Sequence, residues 1–143
     1  MTENNSHNRP YTGVIARLKQ VGLRPTRQRI ALAKLLFEGE NRHVTAEELH
    51  GEAGAAGVSV SLATVYNSLH QFTEAGIMRE VVVEAGRSYF DTNTGDHHHF
   101  FHEDTGSLED IPGDLINVSE LPAAPAGKSV QRVDVIVRVS AAD

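Results

Sequence analysis

The chain has 143 residues, with 13 Lys/Arg against 19 Asp/Glu, a net charge of −6 and no cysteine. That length admits one or two small domains with a real core, and the missing thiols exclude a disulfide framework, a thiolate zinc site and a cysteine nucleophile. No apolar stretch approaches a membrane span, and the polar, Asn-rich start from Met1 to Arg9 is not a signal peptide, so the sequence predicts a cytoplasmic protein with no membrane partner. The charge is unevenly placed: Arg9 to Arg42 holds eight Lys/Arg and two Asp/Glu, whereas Val81 to Asp143 holds four and eleven. A basic N-terminal segment on an acidic body is a footprint for docking on phosphates.

Residues 1–10 read as a disordered tail. Val14, Ile15, Leu18 and Val21 recur at helical spacing from Thr12 to Val21. After the turn Leu23-Arg24-Pro25, Thr26 is a good N-cap for a helix from Arg27 to Phe37. Thr45 and Glu48 form a capping box for a third helix that runs to about Ala53. Ser61 opens a fourth, with Leu62, Val65, Leu69 and Phe72 on one stripe and Tyr66, Asn67, His70 and Gln71 facing elsewhere. Ile77 to Val83 and Arg87 to Asp91, around Ala85-Gly86, carry a hairpin signal. Helices followed by a hairpin, in that order, predict a winged helix-turn-helix DNA reader over residues 11–92.

Beyond Asn93-Thr94-Gly95 the pattern changes. His97 to Phe101 and Ser107 to Ile111 read as strands, Pro112 to Leu121 as a short helix, and Val133 to Val139 as a strongly alternating strand. This α/β unit, residues 96–140, is small to stand alone. Pairing of its strand edges with a second copy predicts a homodimer. The fold class is therefore α+β, a winged helix-turn-helix followed by a small α/β dimerisation domain.

Four of the eight histidines fall in His97-His98-His99-Phe100-Phe101-His102, flanked by Asp96, Glu103 and Asp104. Imidazole beside carboxylate is ligand chemistry for a borderline metal or a haem iron. Alternation along a strand puts His97 and His99 on one face as a chelating pair and His98 on the other.

Three segments, Leu23-Arg24-Pro25-Thr26-Arg27-Gln28-Arg29, His43-Val44-Thr45-Ala46-Glu47-Glu48-Leu49 and Ser61-Leu62-Ala63-Thr64-Val65-Tyr66, resemble consecutive motifs of the Fur family of metal-responsive transcriptional regulators. The resemblance covers roughly residues 11–111. The absence of cysteine and the His97-His98-His99 run resemble one branch, the haem-sensing Irr iron-response regulators. The resemblance implies a dimer whose Ser61–Ala75 helix enters the major groove of AT-rich double-stranded operator DNA, and control of iron and haem genes. It further implies a metal set of His43, Glu84, His97, His99 and Asp110 that joins the two domains and suits Fe, Mn or Zn alike, and a haem-responsive element at His97, His98 and His99. His102 and Thr105 stand where many relatives carry a Cys-x-x-Cys zinc pair, so that site is predicted absent.

The residues make their own case beside the resemblance. Ser61, Ala63 and Thr64 lie at a helix N-terminus, which favours a phosphate, and Ala63 and Thr64 are small enough to approach a thymine methyl. Tyr66 and Asn67 follow, and Asn pairs in bidentate fashion with adenine. Many relatives carry arginine where this chain has Asn67, which implies a different operator preference. Arg24, Thr26, Arg27 and Arg29 are candidates to clamp the DNA backbone. The alternative within the family is an Fe(II)/Mn(II)-dependent or peroxide-responsive repressor that does not use haem. A metal-storage protein leaves the Arg-rich motif unexplained. A metallohydrolase would need a general base at an open metal position, and no nucleophile motif or Gly-rich phosphate loop accompanies the histidines.

Overall fold

The computed structural model describes residues 12–142, and the tail expected over residues 1–10 lies outside the described residues. The chain forms two compact units that divide between Thr94 and Gly95.

The first unit opens with α1 (Thr12–Gln20), α2 (Arg27–Phe37), the two-residue strand β1 (His43–Val44), α3 (Ala46–Ala55) and α4 (Leu62–Glu74). Each of the last three helices starts where a side chain satisfies an orphan backbone N–H. Thr26 Oγ1 accepts from Arg29 N–H, and Ser61 Oγ accepts from Thr64 N–H. Thr45 and Glu48 complete both halves of the capping box, at 3.1 and 2.8 Å. At the far end of α4, Ile77 N–H returns to Phe72 C=O while Gly76 takes φ +83°, a left-handed turn that costs a side-chain-bearing residue strain.

Leu18, Leu32, Leu36, Leu49, Val65, Leu69 and Phe72 are fully enclosed and form the core of this unit. Along α4 the buried stripe is Val65, Ser68, Leu69 and Phe72. Leu62, expected on that stripe, is instead 36% exposed, like its neighbours Ser61 and Ala63 at the start of α4. The hairpin β2 (Arg79–Glu84) and β3 (Arg87–Asp91) then packs Phe90 into this core, and Val81, Val83 and Tyr89 are also buried but lie outside that cluster. The sheet order is β1-β3-β2, antiparallel throughout, with a bulge between Val82 and Glu84. Strand β1 is too short to show an alternating pattern and was not expected; its ladder sets His43 opposite Asp91 and Val44 opposite Phe90.

The second unit holds β4 (His97–His102), β5 (Leu108–Pro112), a single 3₁₀ turn (Gly113–Leu115) and β6 (Ile136–Val139), in the order β5-β4-β6. The central strand β4 runs antiparallel to β5 and parallel to β6. Its burial alternates, with His97, His99 and Phe101 on the buried face. The helix expected over Pro112 to Leu121 is not formed. Only the 3₁₀ turn appears, and Leu115, Val118 and Leu121 are 71, 43 and 50% exposed. A short helix needs an apolar face to bury, and within a single chain only Ile116 of this segment's apolar residues is partly covered. Gly113 is held for another reason: a Cβ there would lie 2.7 Å from the backbone oxygen of Asp96. β6 also starts three residues later than the Val133 to Val139 alternation predicts. At Val135 the backbone N–H is taken by a side chain, the Nδ1 of His98 at 3.1 Å.

Candidate metal centre and nucleic-acid interface

Strand alternation and the β4–β5 ladder build a compact donor cluster in the second unit. His99 is directly opposite Asp110 in the antiparallel register, and His97 stands two residues along on the same face. Directly opposed residues project from one face, so the three side chains converge. The Nε2 atoms of His97 and His99 lie 3.8 and 3.3 Å from Asp110 Oδ1, and the imidazole centroids are 4.6 Å apart. Both rings are buried, while the Asp110 side chain is 49% exposed.

The tautomer of His97 follows from its other nitrogen. Nδ1 lies 2.8 Å from the backbone oxygen of Gly95, which can only accept, so Nδ1 carries the proton. With Nδ1 so engaged, Nε2 is the ring nitrogen that faces the carboxylate and the one free to ligate a cation between them. An N–H to carbonyl bond behind a ligating imidazole is the usual outer-shell support of a metal site. Tetrahedral zinc ligands at 2.0–2.1 Å stand about 3.4 Å apart, close to the separations here. The donor set of two imidazoles and one carboxylate, with all ligand atoms within 4.8 Å of one another, fits a borderline divalent cation.

His98 faces the other way. It accepts from Val135 N–H at Nδ1, so its proton sits on Nε2. With Asp96, Asp114, Arg132, Ile116 and Val130 it lines an open cleft of about 720 Å³. His102 pairs with Glu109 at 2.9 Å, and Thr105 bonds Ser107 at 3.0 Å.

His43 and Glu84 belong to the first unit. His43 is half-buried and edge-on to Tyr89, with ring centroids 6.1 Å apart. Glu84 is exposed at the hairpin end and pairs with Arg87 at 3.5 Å. A residue the sequence did not single out, Asp91, is fully buried, opposes His43 in the ladder, and accepts from Asn93 N–H at 2.9 Å. An aspartate followed by Thr92-Asn93-Thr94-Gly95 has the signature of a turn residue, and only β1 reveals its imidazole neighbour.

The nucleic-acid candidates gather at the start of α2 and α4. Arg24, Thr26, Arg29, Thr64, Asn67 and Gln71 line one cleft of about 330 Å³. Ser61 and Ala63 are exposed at the N-terminus of α4, and Arg27 is exposed beside Ile15, Ile30 and Ala31 rather than in that cleft. Two hydroxyls are committed as caps, those of Thr26 and Ser61, which leaves their backbones and neighbours to meet phosphate. Tyr66 donates to Glu47 Oε2 at 3.1 Å and stacks on His70 at 6.4 Å between centroids. Desolvation and the bond to Glu47 hold its phenol above the ordinary value, so the hydroxyl remains a donor. Behind this surface, Arg42 forms a two-pronged ion pair with Glu52, 2.8 Å from Nη1, and its guanidinium is raised chiefly by that bond. The Arg42 backbone N–H also donates to Thr92 Oγ1 at 2.9 Å, which ties β1 to the hairpin.

Comparison with known proteins adds four findings. The sequence profile of the ferric uptake regulator family matches residues 20–137. The chain is 35% identical over 121 residues to the ferric uptake regulation protein of Shigella flexneri, covering 84% of this chain and 75% of that protein. It is 35% identical over 106 residues to the peroxide-responsive repressor PerR of Staphylococcus aureus, covering 74% and 71%. The crystal structure of the Vibrio cholerae ferric uptake regulator superposes with a TM-score of 0.72 at 27% identity, covering 90% of this chain and 99% of that one.

Proposed function

The chain belongs to the ferric uptake regulator family of metal-responsive transcriptional regulators, and on that premise we propose that it binds AT-rich double-stranded operator DNA as a homodimer, with an affinity set by a divalent cation at His97, His99 and Asp110. The family's members are regulators rather than enzymes, and so is this protein. Its fold is α+β, a winged helix followed by a small dimerisation domain. Among the described residues no helix is long and apolar enough to cross a membrane.

The convergence of two buried imidazoles on the Asp110 carboxylate carries the reading. His97 is pre-oriented by Gly95, His99 is held by the β4–β5 ladder, and Asp110 supplies negative charge. A bound Fe(II), Mn(II) or Zn(II) supplies the positive charge this trio lacks. The first unit offers an imidazole and carboxylate of its own, His43 and Asp91, opposite one another in the β1–β3 ladder, whereas Glu84 is engaged with Arg87. Coupling between cation and DNA is reciprocal: a cation that tightens operator binding is itself bound more tightly on the operator. The DNA face pairs the exposed Arg24 and Arg27, for phosphates, with Ala63, Thr64, Tyr66 and Asn67 on α4, for base edges.

Fluorescence anisotropy on an AT-rich inverted-repeat duplex and a GC-rich duplex, with Mn(II), with Zn(II) and with chelator, tests this. Metal-enhanced preference for the AT-rich duplex is expected; equal binding to both duplexes, or binding indifferent to metal and chelator, overturns it.

One observation favours a second reading in which haem is the signal for iron and haem genes. His98 opens onto an amphipathic cleft of about 720 Å³ with Arg132 at its wall and apolar Ile116 and Val130, a size and polarity suited to a tetrapyrrole with its carboxylates. Replacing His98 alone by Ala, which leaves the His97, His99 and Asp110 trio in place, should then abolish haem-induced release of DNA. Release that persists in this variant refutes haem sensing at His98 and leaves the peroxide-responsive or Fe(II)/Mn(II)-dependent alternative.

A further inference from the structure

From the hydrogen bonds of its side chain, we infer that Arg29 is a positioning residue that fixes α4 against the start of α2, and not one of the phosphate contacts. The inference deepens the DNA-binding reading and rests on it. The sequence places Arg29 in a run with Arg24 and Arg27, where all three carry the same charge and the same expectation. The structure separates them. Arg24 and Arg27 are exposed, whereas Arg29 is half-buried.

All three guanidinium nitrogens of Arg29 donate within the protein. Nε and Nη2 both reach Gln71 Oε1, at 3.2 and 2.8 Å, and Nη1 reaches the backbone oxygen of Arg24 at 3.0 Å. One planar fork therefore clasps a carbonyl oxygen on the third turn of α4 and, from its other edge, the turn that leads into α2. Gln71 belongs to the helix whose next residue, Phe72, is fully buried, so its amide stands on a fixed base. Arg24 and Thr26, on one wall of the 330 Å³ cleft, are thereby held at a set spacing from Thr64 and Asn67 on the other. Phosphate contacts fix the register in which bases are read, and this clasp sets how the phosphate-facing turn and the base-facing helix are aligned. A lysine keeps the charge but is a point donor without the fork.

Salt dependence distinguishes the two roles. A phosphate contact contributes about 0.9 to the slope of log K against log salt, while a positioning residue alters K and leaves the slope alone. The probe is a duplex selected by the wild-type protein from a random-sequence pool. Arg29→Lys and Gln71→Ala are each expected to weaken binding roughly tenfold, as for loss of a charge-assisted bond. The double variant should be no weaker than either, all at the wild-type slope, whereas Arg27→Ala flattens the slope by about one. Without DNA, amide exchange over residues 62–74 should quicken in Arg29→Lys and in Gln71→Ala. The inference is overturned if Arg29→Lys binds like wild type, if Arg29→Ala flattens the slope as Arg27→Ala does, or if exchange in α4 is unchanged. A wild-type protein that selects no duplex refutes the DNA-binding reading instead, and the exchange measurement still decides whether Arg29 holds α4.

Discussion

Asp110→Asn isolates the contribution of charge to the metal cluster. Asp110 is the most exposed of the three donors, with 49% of its side chain accessible, and Asn is nearly isosteric, so folding without metal should change by no more than about 0.5 kcal/mol. The two imidazoles stay where β4 puts them, because the Gly95 carbonyl still orients His97. What is lost is the carboxylate 3.3 and 3.8 Å from their Nε2 atoms. Removing an outer-shell partner of a metal site costs about 10- to 100-fold in affinity, and removing a ligand costs at least as much. At a free Zn(II) or Mn(II) concentration 100 times the wild-type Kd, binding stabilises the folded state by about 2.7 kcal/mol. The same concentration gives the variant about 1.4 kcal/mol after a tenfold loss and about 0.4 after a hundredfold loss. With about 2–8 °C per kcal/mol for domains of about 60 to 250 residues, the wild-type melting temperature should rise by roughly 5 °C or more, and that of the variant by about half as much or less. Differential scanning fluorimetry with metal and then with chelator measures both shifts on one sample. An unchanged metal-free Tm with a metal-induced rise equal to that of wild type would show that Asp110 is not a ligand and refute the cluster.

Three further outcomes are expected. His43→Ala and Asp91→Asn should each reduce the metal-induced rise in Tm while Glu84→Gln leaves it intact; the opposite ranking would select Glu84 as the carboxylate that matters. Gly113→Ala should destabilise the protein by more than about 1 kcal/mol, since its Cβ would meet the Asp96 backbone oxygen at 2.7 Å, and a melting curve matching wild type would show that the strand end yields freely. Asn67→Ala should erase about 1–3 kcal/mol of preference for adenine at one operator position, measured by competition between duplexes differing at single base pairs, with affinity for the remaining positions preserved.

Local chemistry was fully readable in the chain. The caps Thr26, Thr45 and Ser61 act within three residues of themselves, so the starts of α2, α3 and α4 follow from sequence. The strand period of two likewise puts His97 and His99 on one face and His98 on the other. Where the reading failed, the deciding partner lay far along the chain. The apolar residues from Pro112 to Leu121 read as a helix, but within a single chain Leu115, Val118 and Leu121 stay exposed. Val133 to Val135 alternated like a strand, yet the His98 side chain takes the Val135 N–H that a ladder would use.

The sequence by itself determined the fold class, the order of its elements, the surface of α4 and the histidine pair, because periodicity, capping and alternation depend on neighbours a few residues apart. Tertiary structure decided how the charged residues come together, including Asp110, which the family resemblance had already set beside His97 and His99. Asp110 reaches the imidazoles through the β4–β5 register, Asp91 meets His43 through a two-residue strand, and Arg29 is withdrawn from the Arg24 and Arg27 set by Gln71, 42 residues away. Each of those pairings depends on register and packing between distant segments, and the energy that fixes them comes from burying Leu32, Leu49, Leu69 and Phe72 in the first unit and Phe101, Leu108 and Ile111 in the second, rather than from the polar residues themselves.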